Sequence, residues 1–144
     1  MSSFRGFYDI RDYKPEDRNF VISTFLRGLY YGDSWFSLIP KDIFMKNYKA
    51  VAEALIAKRT IKVACLREDP DVIIGYSILS NDFQTIDWVY VKSSKQPDGT
   101  TWRNKGVGKS LVPQYPTSVS HLTVLGKELL KKFPNTVFNP FSIT

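Results

Sequence analysis

Between residues 15 and 31, Phe20, Val21, Thr24, Phe25 and Leu29 recur three or four positions apart, which gathers them on one face of an α-helix. Pro15 suits the first helical position, and Glu16 and Asp17 suit the positive end of the helix dipole. Gly32, Asp33 and Ser34 end the run, and a short aromatic segment follows at Trp35, Phe36, Leu38 and Ile39. Behind Pro40, the stripe Phe44, Tyr48, Val51 and Leu55 steps by four, three and four, predicting a second helix that stops near Arg59. The period then shortens. Ile61, Val63, Cys65 and Leu66 read as a strand, residues 67–71 as a polar turn, 72–79 as a second strand of the same hairpin, and 85–91 as a third strand after Ser80, Asn81 and Asp82. Phe7, Tyr8 and Ile10 predict a short opening strand over residues 6–12. Residues 92–101, with Pro97 and Asp98-Gly99, read as a loop. A short helix after Gly106 reaches Pro113, followed by a strand at 119–125, a helix at 126–133 and a last strand at 136–143 interrupted by Pro140. The order β-α-α-β-β-β-loop-α-β-α-β describes a mixed α/β layout.

Length sets the scale: 144 residues suffice for one domain, 1–144, with one core. With 43% hydrophobic and 24% charged residues the chain is globular in composition, and 15% aromatics predict a ring-lined core. The single cysteine, Cys65, excludes a disulfide framework and points to a reducing compartment. No apolar run approaches the roughly 20 residues of a membrane span, and the first residues lack a signal-like stretch, so a cytoplasmic protein is expected. The formal charge of +6 favours anionic ligands at long range. Part of it is concentrated: Lys92, Lys95, Arg103, Lys105 and Lys109 stand against one acid, Asp98, between residues 92 and 109. Such a run is either a phosphate site or a solvated face.

The stretch Arg103-Asn104-Lys105-Gly106-Val107-Gly108-Lys109-Ser110 is where the sequence carries chemistry. Its glycines let several backbone N–H groups turn toward one concavity, and the helix start adds positive potential, together a receptor for phosphate oxygens. A P-loop would need glycine where Arg103 stands, and a dinucleotide fingerprint would need glycine at Leu111. The pattern Arg-x-x-Gly-x-Gly, preceded by Ile86-Asp87-Trp88-Val89-Tyr90-Val91, instead resembles the coenzyme A motif of the GNAT superfamily of acetyl-CoA-dependent N-acetyltransferases. The element order from Phe7 to Leu111 is similar as well.

The resemblance implies a mixed, mostly antiparallel sheet flanked by helices and splayed between the fourth and fifth strands. It implies that the amides of Arg103, Asn104, Lys105, Gly106, Val107, Gly108 and Lys109 hold the diphosphate of acetyl-CoA or another acyl-CoA. Val89, Tyr90 and Val91 would bind the pantetheine arm through their backbone, as a strand is added to a sheet. Asp87 is the acid that would take the proton of the attacking amine or bind it, unless it serves as a structural hydrogen-bonding group. Tyr31, Asp33, Trp35 and Phe36 would line the site of a small-molecule or peptide amine acceptor. The sequence departs from the family in a long loop at 92–102, in Pro113 and Pro116 after the motif, and in a region at 127–133 without the tyrosine that many members use as general acid.

His121, the only histidine, is expected to be structural, and one histidine with one cysteine excludes a zinc site. Cys65 reads as a small core residue. Three functions remain open at this point: an acyltransferase, a GNAT-like fold that binds without catalysis, and a nucleic-acid-binding protein in which Trp102 stacks beside the basic run. The last is disfavoured, no membrane partner is expected, and self-association is open.

Overall fold

The computed structural model describes residues 8–32, 36–92, 107–113, 118–120 and 136–138. Strand β1, Tyr8–Asp12, leads into a 3-10 turn, Pro15–Asp17, which continues as helix α1, Arg18–Gly32. Asp17 is the reason the chain tightens there. Its buried carboxylate accepts the Lys14 N–H at 2.8 Å and two bonds from the Arg11 guanidinium at 2.8 and 2.9 Å. Burial pushes this carboxyl up, but the Arg11 bonds and the Lys14 N–H outweigh it and hold the group below the usual carboxylate range.

Helix α1 buries Val21, Phe25 and Leu29 at the expected spacing, with Ile22, Leu26 and Tyr30 widening the apolar face. Helix α2, Lys41–Lys58, begins one residue after Pro40, whose carbonyl accepts the Phe44 N–H at 3.0 Å and so supplies the first intrahelical bond. Phe44 and Leu55 of the predicted stripe are buried, while Tyr48 and Val51 pack at the rim of the core.

Strands β2, Thr60–Leu66, β3, Ile73–Leu79, and β4, Thr85–Val91, form the meander that the sequence predicts. With β5, Ser118–Val119, and β6, Val137–Phe138, they make a six-stranded sheet in the order β1-β2-β3-β4-β5-β6. The first three pairings are antiparallel; β4–β5 and β5–β6 are parallel. Every residue of β3 is buried, as expected of a strand covered on both faces. On one face α1 and α2 enclose Ile61, Val63, Tyr76, Ile78 and Trp88. On the other, the short helix α3, Val107–Leu111, places Val107 and Leu111 with Tyr8, Ala64 and Ile74. The register between β2 and β3 shifts at Ala64/Cys65, and both residues are buried.

Gly75 is what lets these layers close. A methyl group there would lie 2.5 Å from the Tyr90 carbonyl oxygen and 3.4 Å from a Leu111 methyl, so no side chain fits between β3, β4 and α3. Of the predicted late elements, only Ser118–Val119 and Val137–Phe138 fall within the described residues. The predicted loop at 92–102 beyond Lys92, the helix at 126–133, His121 and the part of the fifth strand past residue 120, on which the predicted splay between the fourth and fifth strands depends, lie outside them. No helix among the described residues is long and apolar enough to cross a membrane.

Candidate functional site

Strand β4 changes its hydrogen-bonding side partway along. The Ile86 carbonyl accepts the Ser120 N–H at 3.1 Å and therefore faces β5. Six residues later, the Lys92 N–H donates to the Ile74 carbonyl at 2.7 Å and faces β3. Strict alternation would send both residues the same way. The switch lies at Asp87, because Leu79 pairs with Ile86 while Ile78 pairs with Trp88, leaving Asp87 as the extra residue of a β-bulge. From Trp88 onward the even-numbered residues bond toward β3. Val89 and Val91 therefore direct their backbone N–H and C=O groups to the opposite side. Among the described residues, the β4–β5 ladder consists of Thr85 with Ser118 and Ile86 with Val119. The described β4–β5 pairing thus ends one residue before Asp87, the root of the bulge.

The expected catalytic acid is built into that root. Asp87 is fully buried, and Ser120 Oγ donates to its Oδ1 at 2.6 Å. Arg59 Nε lies 3.0 Å from Oδ2, an ion pair whose angle leaves Oδ2 without an aligned hydrogen bond. Burial pushes the Asp87 carboxyl up, and the Ser120 bond and the Arg59 charge oppose the shift. Beside it, the hydroxyls of Thr85 and Ser118 meet at 2.7 Å across the same ladder. Sequence reasoning missed Arg59 and Ser120. Arg59 reads as an ordinary basic helix end, and nothing periodic links it to a strand residue 28 positions on.

The neighbours of Asp87 on β4 belong to the helical layer. Trp88 meets Phe25 edge to face with ring centres 5.1 Å apart. Tyr90 stacks on Tyr76 at 5.4 Å and meets Phe20 edge to face at 5.9 Å. Its ring is thereby engaged and its backbone bonds toward β3, so of the three residues expected to bind an extended arm, Val89 and Val91 alone turn their backbone away from β3.

Of the expected acceptor residues, Tyr31 is 62% exposed at the end of α1, with Lys41 Nζ 5.6 Å from its ring centre. Phe36 is half-buried instead of open, its ring 5.7 Å from Phe44 and 5.5 Å from Tyr48. Tyr30 Oη donates to the Ile39 carbonyl at 2.8 Å, tying the end of α1 to the entry of α2. Asp33 and Trp35 lie outside the described residues, as do Arg103, Asn104, Lys105 and Gly106. Of the phosphate-binding segment, Val107 opens α3 with its side chain buried, and Gly108 and Lys109 continue the helix. Ser77 Oγ donates to the Leu111 carbonyl at 2.7 Å, and Tyr8 Oη and Ser110 Oγ lie 3.0 Å apart, so α3 is bonded onto the sheet at two points.

The sequence matches no protein-family model and no curated protein. The fold is similar to the crystal structure of a GCN5-related N-acetyltransferase from Rhodopseudomonas palustris: 20% identity, 86% of this chain and 79% of that chain covered, TM-score 0.55. A second solved structure, apo-form YjaB from Escherichia coli, aligns at 16% identity over 88% of this chain and 67% of that chain, with a TM-score of 0.47. The first of these likenesses shows the fold: a GNAT-type mixed sheet flanked by helices.

Proposed function

We propose that this protein is an N-acyltransferase that passes an acetyl or other acyl group from acyl-CoA to a primary amine, carried on a small molecule or a peptide. The observation that carries this reading is the change of phase at Asp87, which turns the backbone of Val89 and Val91 away from β3, past the last β4–β5 pair among the described residues. An extended amide-bearing arm fits such a strand by adding to it, N–H to C=O. At the other end of the arm, the amides of the segment from Arg103 to Lys109 would hold the diphosphate, with Arg103, Lys105 and Lys109 supplying charge. The GNAT-type fold supports the same reading.

When bound, acyl-CoA supplies an activated thioester carbon. What the chain contributes is position: it aligns the thioester against the acceptor and excludes alternative poses. The amine nitrogen forms the new C–N bond as the C–S bond breaks; the thiolate departs and the surplus proton of the nitrogen passes to water. Asp87 is committed to Arg59 and Ser120, so the nucleophile is the free-base fraction of the acceptor, set by solution pH. On the acceptor side, Tyr31 offers an open ring and Phe36 packs on Phe44 nearer the core, with Asp33 and Trp35 between them in the sequence.

The commitment of Asp87 also favours a second reading, in which the protein binds acyl-CoA and does not turn it over. Thermal unfolding with and without CoA, followed by thioester consumption with a panel of primary amines, separates the two. Saturation to 100 times Kd should stabilise the protein by about 2.7 kcal/mol, and Arg103→Ala and Gly108→Ala should remove the effect. Consumption of thioester identifies the transferase, binding alone identifies the second reading, and no stabilisation overturns both.

A further inference from the structure

Three elements that are distant in sequence meet at one buried carboxylate. Arg59 is the residue that ends α2, its guanidinium mostly buried; Asp87 is the bulge residue of β4; Ser120 follows β5. Each contact acts on a different part of the β4–β5 junction. Arg59 anchors Asp87 to the helical layer at 3.0 Å, and the Ser120 hydroxyl anchors β5 to Asp87 at 2.6 Å. The Ser120 N–H then closes the same unit by donating to the Ile86 carbonyl at 3.1 Å, one residue before the bulge. A bulge residue contributes no ladder pair of its own, so its position depends on its side chain. Here that side chain carries a charge that is 0% exposed, and it cannot leave its partners without exposing that charge to an apolar interior.

We propose that Arg59 and Ser120 are positioning residues that act through Asp87 as a clip, fixing the β4 bulge at the β4–β5 junction and thereby the presentation of the Val89 and Val91 backbone. The ligand-binding part of this inference rests on the acyl-CoA reading above; the mechanical part does not. With the clip closed, the odd-numbered residue Thr85 bonds toward β3 before the bulge and the even-numbered residues from Trp88 bond toward β3 after it. With the clip broken, the bulge can migrate, and a one-residue shift exchanges the two sides of the strand. Val89 and Val91 would then turn toward β3, and Trp88 and Tyr90 would present their backbone outward in their place, one residue out of register for the arm.

The test compares the full-length protein with the double variant Arg59→Met/Asp87→Asn, which removes both charges together and leaves no uncompensated ion, and with Ser120→Ala. Val21→Ala, a core change under α1 remote from the β4–β5 junction, serves as a control of comparable destabilisation. Two readouts are taken where all variants are folded by circular dichroism. Amide hydrogen exchange, followed by NMR in the ligand-free proteins, should quicken at least tenfold at residues 118 and 120 in both clip variants, with the Val21→Ala protein moving less at those sites than in α1. Calorimetric titration with CoA should show roughly tenfold weaker binding in the clip variants, and a partial return with Arg59→Lys alone. Wild-type exchange at residues 118 and 120 in the clip variants overturns the clip. Quickened exchange with unchanged CoA affinity overturns its link to the ligand. Absence of any CoA heat in the unaltered protein counts against the acyl-CoA reading, and the exchange comparison still decides the clip.

Discussion

Gly75→Ala is the sharpest perturbation of the layered core. The added methyl would lie 2.5 Å from the Tyr90 carbonyl oxygen and 3.3 Å from Val91 Cα, both backbone atoms of a paired strand, and 3.4 Å from Leu111 Cδ1. A side chain could rotate out of the way; a strand hydrogen-bonded along its length to β3 has to shift as a unit. Overpacking of this kind costs about 2–3 kcal/mol, partly offset by the few tenths to 1 kcal/mol that alanine gains over glycine through a less disordered unfolded chain. An unfolding entropy near 2.1 cal/mol/K per residue makes each kcal/mol worth about 3 °C in a chain of this length, so the midpoint should fall by roughly 4–8 °C. Gly28→Ala is the matched comparison. Its methyl would lie 2.8 Å from Trp88 Cζ2, a side-chain edge, and the site is helical, where alanine gains about 1 kcal/mol over glycine. The net change there should be smaller. Thermal unfolding by circular dichroism with calorimetric confirmation measures both. A Gly75→Ala midpoint within 1 °C of wild type, or a smaller loss than that of Gly28→Ala, would refute the argument.

Other outcomes follow from local contacts. Asp17 has a depressed folded pKa, so its stabilisation is present above the unfolded carboxylate value near 3.9 and disappears as pH falls through the folded value. The stability gap between wild type and Asp17→Asn, measured by urea titration, should therefore be widest at neutral pH and shrink below about pH 4; a gap that stays constant down to pH 2.5 contradicts the assignment. Tyr76→Phe removes a hydroxyl that meets Thr24 Oγ1 at 2.7 Å and donates to the Val21 carbonyl at 3.1 Å. The loss should be about 1–2 kcal/mol in denaturant unfolding, since Thr24 keeps its 2.7 Å bond to the Phe20 carbonyl. Phe36→Ala should cost about 2 kcal/mol, less than a fully buried phenylalanine, because the ring is half-buried against Phe44 and Tyr48; unchanged stability would return that ring to the acceptor site alone.

What could be read from the sequence is what repeats. The α1 and α2 stripes and the three meander strands have a period, and their burial followed it to within a residue or two at the ends. Breaks in period were invisible. The bulge at Asp87 and the shift at Ala64/Cys65 each insert a single residue, and no residue type announces either. Phe83, in the turn before β4, has φ of 60°, a conformation that composition would assign to glycine or asparagine. Candidate chemistry followed the same division. Asp87 could be singled out from its place on the strand, whereas its engagement by Arg59 and Ser120 depends on contacts across 28 and 33 positions that only the assembled sheet creates.

The connections around the sheet have a kinetic consequence. Only six residues separate β2 from β3 and five separate β3 from β4, whereas 26 lie between β4 and β5. Closing short loops costs little chain entropy, so the meander can nucleate early, and the parallel pairing that completes the sheet must wait for a remote segment to arrive. Under the acyl-CoA reading proposed above, ligand adds beside that late pairing, so it should slow unfolding more than it accelerates folding.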